Sequence, residues 1–170
     1  MITPESSFLS VKDHPFENHT KVYHELNSVT LESIYNELVE IKKECIDDGY
    51  EIEHACVIID DYASDLKDKE LIKALKQLLI KSRHIGCSFI FTLQCYNLFP
   101  LVLRKLLTNI SLFKPKNKIE LDSVRKELIN LNEEDTLQLM SFVFNEEYSH
   151  LDIDTNTNTL RKNFNKLLIK

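Results

Sequence analysis

Cys56-Val57-Ile58-Ile59-Asp60-Asp61 is a short apolar run that ends in two carboxylates. Four consecutive β-prone residues without polar alternation are typical of a strand that is covered on both faces, so the run predicts a buried strand. Ligands bind at the carboxyl ends of strands in open α/β sheets. We therefore expect a functional site near Asp60 and Asp61.

A helix and a second apolar run follow this strand. Residues 68–83 place five apolar side chains on one helical stripe: Leu71, Ile72, Leu75, Leu78 and Leu79. Residues 87–93 form the second run, which ends at Gln94. A strand, a helix and a strand in this order predict a βαβ unit with two parallel strands and a right-handed crossover. Gln94 is therefore predicted to lie beside the two acids.

The segment before this unit is predicted to be irregular and then helical. Residues 1–27 contain two prolines and no sustained period, so we expect irregular structure with one short strand near residues 8–11. Thr30 is the expected N-cap of a helix that runs to Asp47 and stops at Gly49.

The second half of the chain is predicted to mix helices and strands. The expected elements are a short helix at 99–107, a third strand at 109–113, helices at 118–130 and 132–142 that begin at Asn117 and Asn132, and a β-hairpin made by 151–154 and 160–164. Residues 155–159 supply turn chemistry between the hairpin strands. We interpret this hairpin as the edge of a sheet rather than as a functional site.

Composition narrows the class of protein. The chain has 170 residues, of which 43% are hydrophobic, and this fits one domain with a sizeable core. Its formal net charge of −6 gives no general attraction to nucleic acid, so any DNA contact requires a local patch or an assembled ring. No apolar stretch approaches the roughly 20 residues that span a bilayer, and we expect a soluble intracellular protein without membrane contact.

The four cysteines do not form closely spaced pairs. Cys56 and Cys87 fall in the predicted buried strands, where thiols behave as small hydrophobic groups. Free thiols in a reducing compartment are the expected state. A zinc site that combines cysteines with His54 or His84 is disfavoured, because structural zinc sites usually use tight Cys or His pairs.

An apolar strand followed by two acids also matches the Walker B pattern of ATP-hydrolysing enzymes. In that pattern the first acid holds Mg²⁺, often through water, and the second polarises the attacking water. A second interpretation stays open on the motif alone, since strand ends are solvated and often carry acids for that reason.

The order of motifs resembles a known family. The matching features are Asp60-Asp61, Ser82-Arg83-His84-Ile85-Gly86, Gln94, Pro100, Arg104, Asn109, Lys114-Pro115-Lys116-Asn117 and the closing hairpin that ends at Asn163-Phe164. From Val22 to Phe164 the sequence resembles the genome-packaging ATPases of large nucleocytoplasmic DNA viruses, a branch of the FtsK/HerA-like motor ATPases. The resemblance implies that the chain acts in host cytoplasm, at the viral factory, or in the virion.

This resemblance implies an α/β fold with a three-layer core like that of P-loop NTPases and a mainly parallel sheet. The Walker A strand, loop and helix of that core are not represented, and C-terminal helices and a β-hairpin are added. The implied organisation is one partial ATPase domain: an irregular segment at 1–27, a Walker B core at 28–118, and the helices and hairpin at 119–170.

The resemblance also implies ATP and Mg²⁺ as cofactors. Asp60 would hold Mg²⁺ through water, Asp61 would activate the attacking water, and Gln94 would sense the γ-phosphate. Arg83 would act near the nucleotide, although an arginine in the last turn of a helix also complements the helix dipole. Arg104 would reach the nucleotide of a neighbouring subunit, although an exposed helical face would look the same.

Duplex DNA and a ring of subunits are the implied partners. A basic cluster that would contact DNA phosphates follows the third strand: Lys114, Lys116 and Lys118. The same lysines also fit an ordinary solvated loop.

One element of the family is missing from the sequence. P-loop ATPases hold phosphates in a G-x-x-x-x-G-K-[ST] loop, whereas this chain has only Gly49 and Gly86 and neither lies in such a loop. The sequence therefore resembles the part of the family's ATPase domain that follows the Walker A strand and first helix. This predicts a fragment, a split gene product or a degenerate copy, and an upstream polypeptide is the predicted source of the Walker A loop.

Two functions compete on these observations. The leading hypothesis is the Walker B half of an ATPase that translocates viral DNA into capsids. The alternative is a non-catalytic subunit, truncated or pseudo-enzymatic, that keeps the interaction surface of the fold. A receiver-like regulatory domain is excluded, because that fold requires a further aspartate at a strand end where this chain has Gln94.

Overall fold

A helix joins two parallel strands in the first half of the chain, as predicted. In the computed structural model, which describes residues 1–19 and 21–168, β1 (Ala55–Asp60) pairs in parallel with β2 (Cys87–Thr92). Helix α3 (Lys69–Lys81) connects them, and the Asp68 carboxylate accepts backbone N–H bonds in its first turn. Asp60 lies opposite Thr92 in the register, so both strands end at the same edge of the sheet.

The residues are grouped in two compact units. The first comprises Met1–Gln94 and Leu98–Leu106, and the second comprises Cys95–Asn97 and the chain from Leu107 onward. This division falls before the third strand, whereas the sequence placed the end of the core at residue 118. The third strand belongs to the second unit because it pairs with a strand near the C terminus.

The N-terminal residues extend the parallel sheet of the first unit. Ile2 bridges in parallel to Ile59 of β1 on one side and to Tyr23 on the other. The Ile2 N–H donates to the Ile58 carbonyl at 2.8 Å, and the Asp60 N–H donates to the Ile2 carbonyl at 2.9 Å. Ile2 and Thr3 are fully buried. Residues predicted to be irregular thus occupy the sheet position beside β1.

A short helix replaces the predicted strand at residues 8–11. Helix α1 spans Glu5–Ser10, and its first turn is closed by the Phe8 N–H donating to the Pro4 carbonyl at 2.9 Å. The strand prediction was wrong because residues 2 and 3 already pair with the sheet edge. Pro4 then favours a helix start, since its fixed φ suits the first turn.

Helix α2 (Ser28–Asp47) begins three residues earlier than expected. Its N-cap is Asn27, whose side chain accepts a hydrogen bond from the Thr30 N–H at 2.8 Å, so the prediction of Thr30 as the cap was wrong. Its end is confirmed: Gly49 follows with φ of 74°, a left-handed conformation that glycine adopts without steric cost.

The parallel pair is covered on one face only. Side chains of a strand alternate between the two faces, and Val57, Ile59 and Cys87 on one face are buried. On the opposite face, Cys56 is exposed and Ile90 is 49% exposed. The prediction that both faces are buried was therefore wrong, and within residues 1–19 and 21–168 this second face stays open to solvent.

The second unit is built on an antiparallel sheet. Its order is β3 (Asn109–Leu112), β4 (Leu151–Asp154), β5 (Thr159–Lys162) and β6 (Asn165–Lys166). The predicted hairpin is confirmed as β4 and β5. The expectation of a mainly parallel sheet is corrected, because β3 pairs antiparallel with β4 and four of the named strands lie in this second sheet.

The remaining helices lie close to their predicted positions. Helix α4 (Leu101–Arg104) is shorter than the predicted 99–107. Helices α5 (Lys118–Leu128) and α6 (Glu133–Val143) begin at Asn117 and Asn132, whose side chains accept backbone N–H bonds as predicted. No helix among the described residues combines the length and apolar composition needed to cross a membrane.

Candidate functional site

The carboxylate of Asp60 lies at the carboxyl end of β1, between two hydroxyl groups. One oxygen accepts a hydrogen bond from Thr3 Oγ1 at 3.1 Å, and the other accepts a bond from Thr92 Oγ1 at the end of β2. Asp60 itself is half-buried. Two neutral donors therefore orient this carboxylate without cancelling its charge.

Asp61 follows in a left-handed conformation, with φ of 59°. Aspartate tolerates this conformation better than most residues, and here it turns the chain away from the strand. One carboxylate oxygen accepts a bond from Gln94 Nε2 at 3.0 Å, and the other accepts a bond from Ser7 Oγ at 3.0 Å. The predicted position of Gln94 beside the acid pair is thus confirmed.

Thr3 and Ser7 are members of the site that sequence reasoning missed. Each acid binds one donor from the N-terminal segment and one from the end of β2 or just beyond it. A weak signal was present, because Ile2-Thr3 is a β-branched pair directly before Pro4 and reads as a very short strand. Its pairing with β1 brings these hydroxyls to the acids.

The acid pair fits the metal half of a nucleotide site. Mg²⁺ is usually held by one or two carboxylates together with waters and substrate phosphates, and Asp60 matches that role. Asp61 is exposed at the strand end, where a carboxylate can orient a water. Among the described residues, no three histidine, cysteine or acidic side chains form a metal cluster made by protein alone.

The glycines of this chain do not form the phosphate-binding half of such a site. Gly86 lies at the amino end of β2, and a Cβ built there would meet Ile52 Cγ2 at 3.2 Å. It serves close packing and a left-handed turn rather than a phosphate cradle. Gly49 ends α2 and lies in open space. These are the two glycines of the chain, so neither supplies the backbone N–H groups that hold phosphates.

Arg83 lies at the opposite end of the parallel sheet from the acids of its own chain. It belongs to a 3-10 turn, Ser82–Ile85, that precedes the amino end of β2, whereas the acids follow the carboxyl end of β1. A strand of six residues separates these ends by about 20 Å. The structure therefore does not bring Arg83 to the acids of its own chain. Its action near a nucleotide stays a prediction, beside the alternative interpretation as a cation at a helix end.

Arg104 is the last residue of α4 and is half-buried. Its neighbour Lys105 is exposed. The action of Arg104 on the nucleotide of another subunit stays a prediction.

The three lysines of the predicted DNA contact are exposed on one loop of the second unit. Lys114 and Lys116 lie between β3 and α5, and Lys118 is the first residue of α5. The buried Glu120 carboxylate fixes this loop, because it accepts bonds from the Lys116 N–H at 3.1 Å and the Tyr96 N–H at 2.7 Å. The contact of these lysines with DNA stays a prediction.

Replacing Thr3 with valine should lower the free energy of unfolding by about 1–2 kcal/mol, because the buried hydroxyl that donates to Asp60 is lost while the shape is kept. Urea denaturation of the whole chain measures this effect. The same substitution in an Asp60→Ala chain should cost much less, since the partner is already absent. An equal cost in both chains would show that Thr3 stabilises the fold without acting on Asp60.

Comparison with solved structures found a similar fold in two viral genome-packaging proteins. The chain is similar to B204, the DNA-packaging ATPase from Sulfolobus turreted icosahedral virus, with a TM-score of 0.63, 21% identity, and coverage of 88% of this chain and 66% of that one. It is also similar to the genome-packaging NTPase B204 of Sulfolobus turreted icosahedral virus 2 in complex with AMPPCP, with a TM-score of 0.63, 20% identity and coverage of 88% and 66%.

A further structure of that second protein, in complex with ATP-gammaS, matches with a TM-score of 0.62, 19% identity and coverage of 87% and 67%. The chain thus spans about two thirds of the length of these proteins. The TM-scores of 0.63 establish a shared fold, and identity near 20% limits the conclusion to the fold, so the family resemblance is confirmed at that level. No protein-family model and no curated protein sequence matches the chain.

Proposed function

We propose that this chain provides the metal-binding and water-activating half of the ATP-hydrolysis site in a viral DNA-packaging ATPase. The observation that carries the proposal is the meeting of Asp60, Asp61 and Gln94 at one edge of a parallel sheet. Its working form is a ring on duplex DNA at the viral factory in host cytoplasm or in the virion. The solved relatives support this class of function, since they are described as packaging ATPases and NTPases.

Each residue has a distinct task in this proposal. Mg-ATP, when bound, supplies the phosphoryl group that water attacks. Asp60 holds the hydrated metal, and its bonds from Thr3 and Thr92 fix the direction of its oxygens. Asp61 orients the water and accepts its proton, while Gln94 and Ser7 hold that carboxylate in place.

The open edge and open face of the parallel sheet leave room for an added phosphate-binding segment. Within the described part of the chain, the edge of β2 away from β1 pairs with no strand. A parallel strand added at that edge would end beside Gln94, which is where a phosphate loop is needed. A helix after the loop would cover the exposed face at Cys56 and Ile90. This segment would come from another polypeptide or from a longer form of the chain.

A non-catalytic role is the alternative proposal. The observation in its favour is that both carboxylate oxygens of Asp61 accept hydrogen bonds within the chain, from Ser7 and Gln94. In that case the pair would be a structural joint between the N-terminal segment and β2, and the chain would serve as an interaction subunit. The two proposals differ in their response to the loss of Asp61, which separates them experimentally.

Cysteine alkylation tests whether the open face receives the proposed segment. Cys56 should react readily in the chain alone because it is exposed. Cys87 should not react near pH 8, since burial, with a smaller contribution from Cys56, raises the pKa of its thiol to about 11. A polypeptide with a strand, a G-x-x-x-x-G-K-[ST] loop and a helix should slow the labelling of Cys56.

The partly exposed Cys45 on α2 is the matched reference, and its labelling rate should stay the same. Mass spectrometry of iodoacetamide-treated samples reports each site separately. Unchanged labelling of Cys56 at saturating concentrations of the added polypeptide would show that this face is not its binding surface.

A further inference from the structure

Three aromatic rings form a ladder on the second unit. The rings of Phe113 and His150 lie 5.6 Å apart between centroids, and those of His150 and Phe164 lie 4.8 Å apart. The outer members are open to solvent, with Phe113 60% and Phe164 74% exposed. Aromatic rings with this exposure are available to stack on a ligand.

The ladder lies on the face of the antiparallel sheet that points away from the core. Leu112 and Leu151 pair across β3 and β4 and are both buried. Because side chains alternate along a strand, Phe113 and His150 fall on the opposite face. Asp152, two residues after His150, lies on the same face. Its partner across the sheet is Arg161, whose own partner is Lys166, so these two cations share that face.

Phe164 is held in a conformation that its residue type disfavours. Asn163 and Phe164 form the two-residue turn between β5 and β6, with φ of 49° and 67°. Such a turn normally carries glycine at its second position, because a left-handed conformation strains a bulky residue. Strain of this kind persists where the surroundings impose it, and it is concentrated at functional positions.

Partly buried hydrogen bonds hold this turn. Asp152 is 8% exposed, and its carboxylate accepts bonds from the Phe164 N–H at 2.9 Å and from Ser111 Oγ at 2.7 Å. The Asn163 side chain accepts a bond from the His150 N–H at 2.9 Å. These contacts fix the backbone on both sides of Phe164 and leave its ring pointing into solvent.

We propose that this face binds single-stranded nucleic acid by stacking unpaired bases on Phe164 and Phe113. Base stacking on aromatic rings tolerates any sequence, and cations beside the rings attract the phosphates. Three cations fit that second role: Lys114, which directly follows Phe113, together with Arg161 and Lys166. The proposal revises the expectation that the hairpin is only a sheet edge, and it goes beyond ATP hydrolysis on duplex DNA.

Charge favours nucleic acid over another protein surface as the occupant. The chain as a whole carries a formal charge of −6, whereas Arg161 and Lys166 share the face of the ladder and Lys114 directly follows Phe113. Two acids share the face, and both are engaged by backbone N–H groups: Asp152 with Phe164, and Asp154 with Asn156 and Thr157.

Replacing Phe164 with asparagine tests the contribution of the aromatic ring to binding without disturbing the backbone conformation of the turn. Asparagine tolerates the left-handed conformation, so the variant should be at least as stable as the parent chain. Its affinity for a fluorescently labelled oligothymidylate should fall by about tenfold or more, since stacking on one aromatic residue accounts for that much binding. Fluorescence anisotropy at low salt, without ATP, measures the affinity, and urea denaturation measures the stability.

Tyr148 provides the matched control. Like Phe164, it is an aromatic residue with a left-handed backbone conformation, with φ of 62°, and it is 83% exposed. Among the described residues its ring contacts no other ring. Tyr148→Asn should leave the affinity for the oligonucleotide unchanged. A second variant, Phe113→Ala, should weaken binding as Phe164→Asn does.

Several results would overturn the proposal. One is the absence of oligothymidylate binding by the parent chain at low salt. Another is binding by Phe164→Asn and Phe113→Ala with the affinity of the parent. Loss of self-association by Phe164→Asn in light scattering, without a loss of oligonucleotide affinity, would identify a second copy of the chain as the occupant. None of these measurements involves ATP. A result that overturns the nucleic-acid proposal therefore leaves the proposed role in ATP hydrolysis unchanged.

Discussion

Replacing Asp61 with alanine should lower the single-turnover rate of ATP hydrolysis by about 10² to 10⁴, the usual contribution of a general base, once a phosphate-binding segment is supplied. The affinity for Mg-ATP should change little, because Asp61 is placed to act on water rather than on the metal. Rapid-quench measurement of hydrolysis, together with equilibrium binding of Mg-ATP, separates the two quantities.

The other residues of the site should give distinct results in the same assays. Asp60→Ala should weaken Mg-ATP binding and slow hydrolysis together, since a metal ligand acts in both states. Gln94→Ala should resemble Asp61→Ala but more mildly, because it acts partly through its 3.0 Å bond to that carboxylate. Asp47→Ala is the matched control, an exposed acid at the end of α2. Near-normal hydrolysis by Asp61→Ala would show that the pair is only a solvated strand end.

The chain alone should release no phosphate from ATP above background. Its acids have no cradle of backbone N–H groups and no loop lysine to neutralise the phosphates, so bound Mg-ATP would face two carboxylates with little compensation. Steady-state phosphate release in the presence of Mg²⁺ and duplex DNA measures this. A turnover of the order of 1 per second, lost in Asp61→Asn, would show that the chain holds phosphate by itself.

The sequence predicted the βαβ unit well because its signals are local. An apolar run of strand length, a helical stripe and a second apolar run each act within a few residues. The meeting of Asp61 and Gln94 followed from topology, since the carboxyl ends of parallel strands share one edge of a sheet. The caps at Asn117 and Asn132 were equally local.

Contacts between distant segments were not predictable in the same way. The bond from Thr3 to Asp60 joins residues 57 positions apart, and that from Ser7 to Asp61 joins residues 54 apart. Neither hydroxyl lies in a pattern that specifies its partner. The open face at Cys56 was missed for a related reason, because an unbroken apolar run resembles a buried strand whether or not the covering helix is present.

The antiparallel sheet shows a further limit of local patterns. Residues 109–112 have the composition of a strand, but composition does not choose between a parallel and an antiparallel partner. The turn at Asn163 and Phe164 lacks the glycine that usually marks a two-residue hairpin turn. The position of Arg83 at the amino end of β2 could have been predicted from the sequence, because a residue that comes shortly before a strand lies at its amino end.

Phosphate release with and without the missing loop tests the central claim most directly. The samples are the chain alone, the chain with a polypeptide that carries a G-x-x-x-x-G-K-[ST] strand, loop and helix, and the Asp61→Asn chain with that polypeptide. We expect background release from the first, turnover from the second, and a loss of that turnover in the third. Equal turnover from the parent and Asp61→Asn chains in the presence of the polypeptide would contradict the assignment of these acids to ATP hydrolysis.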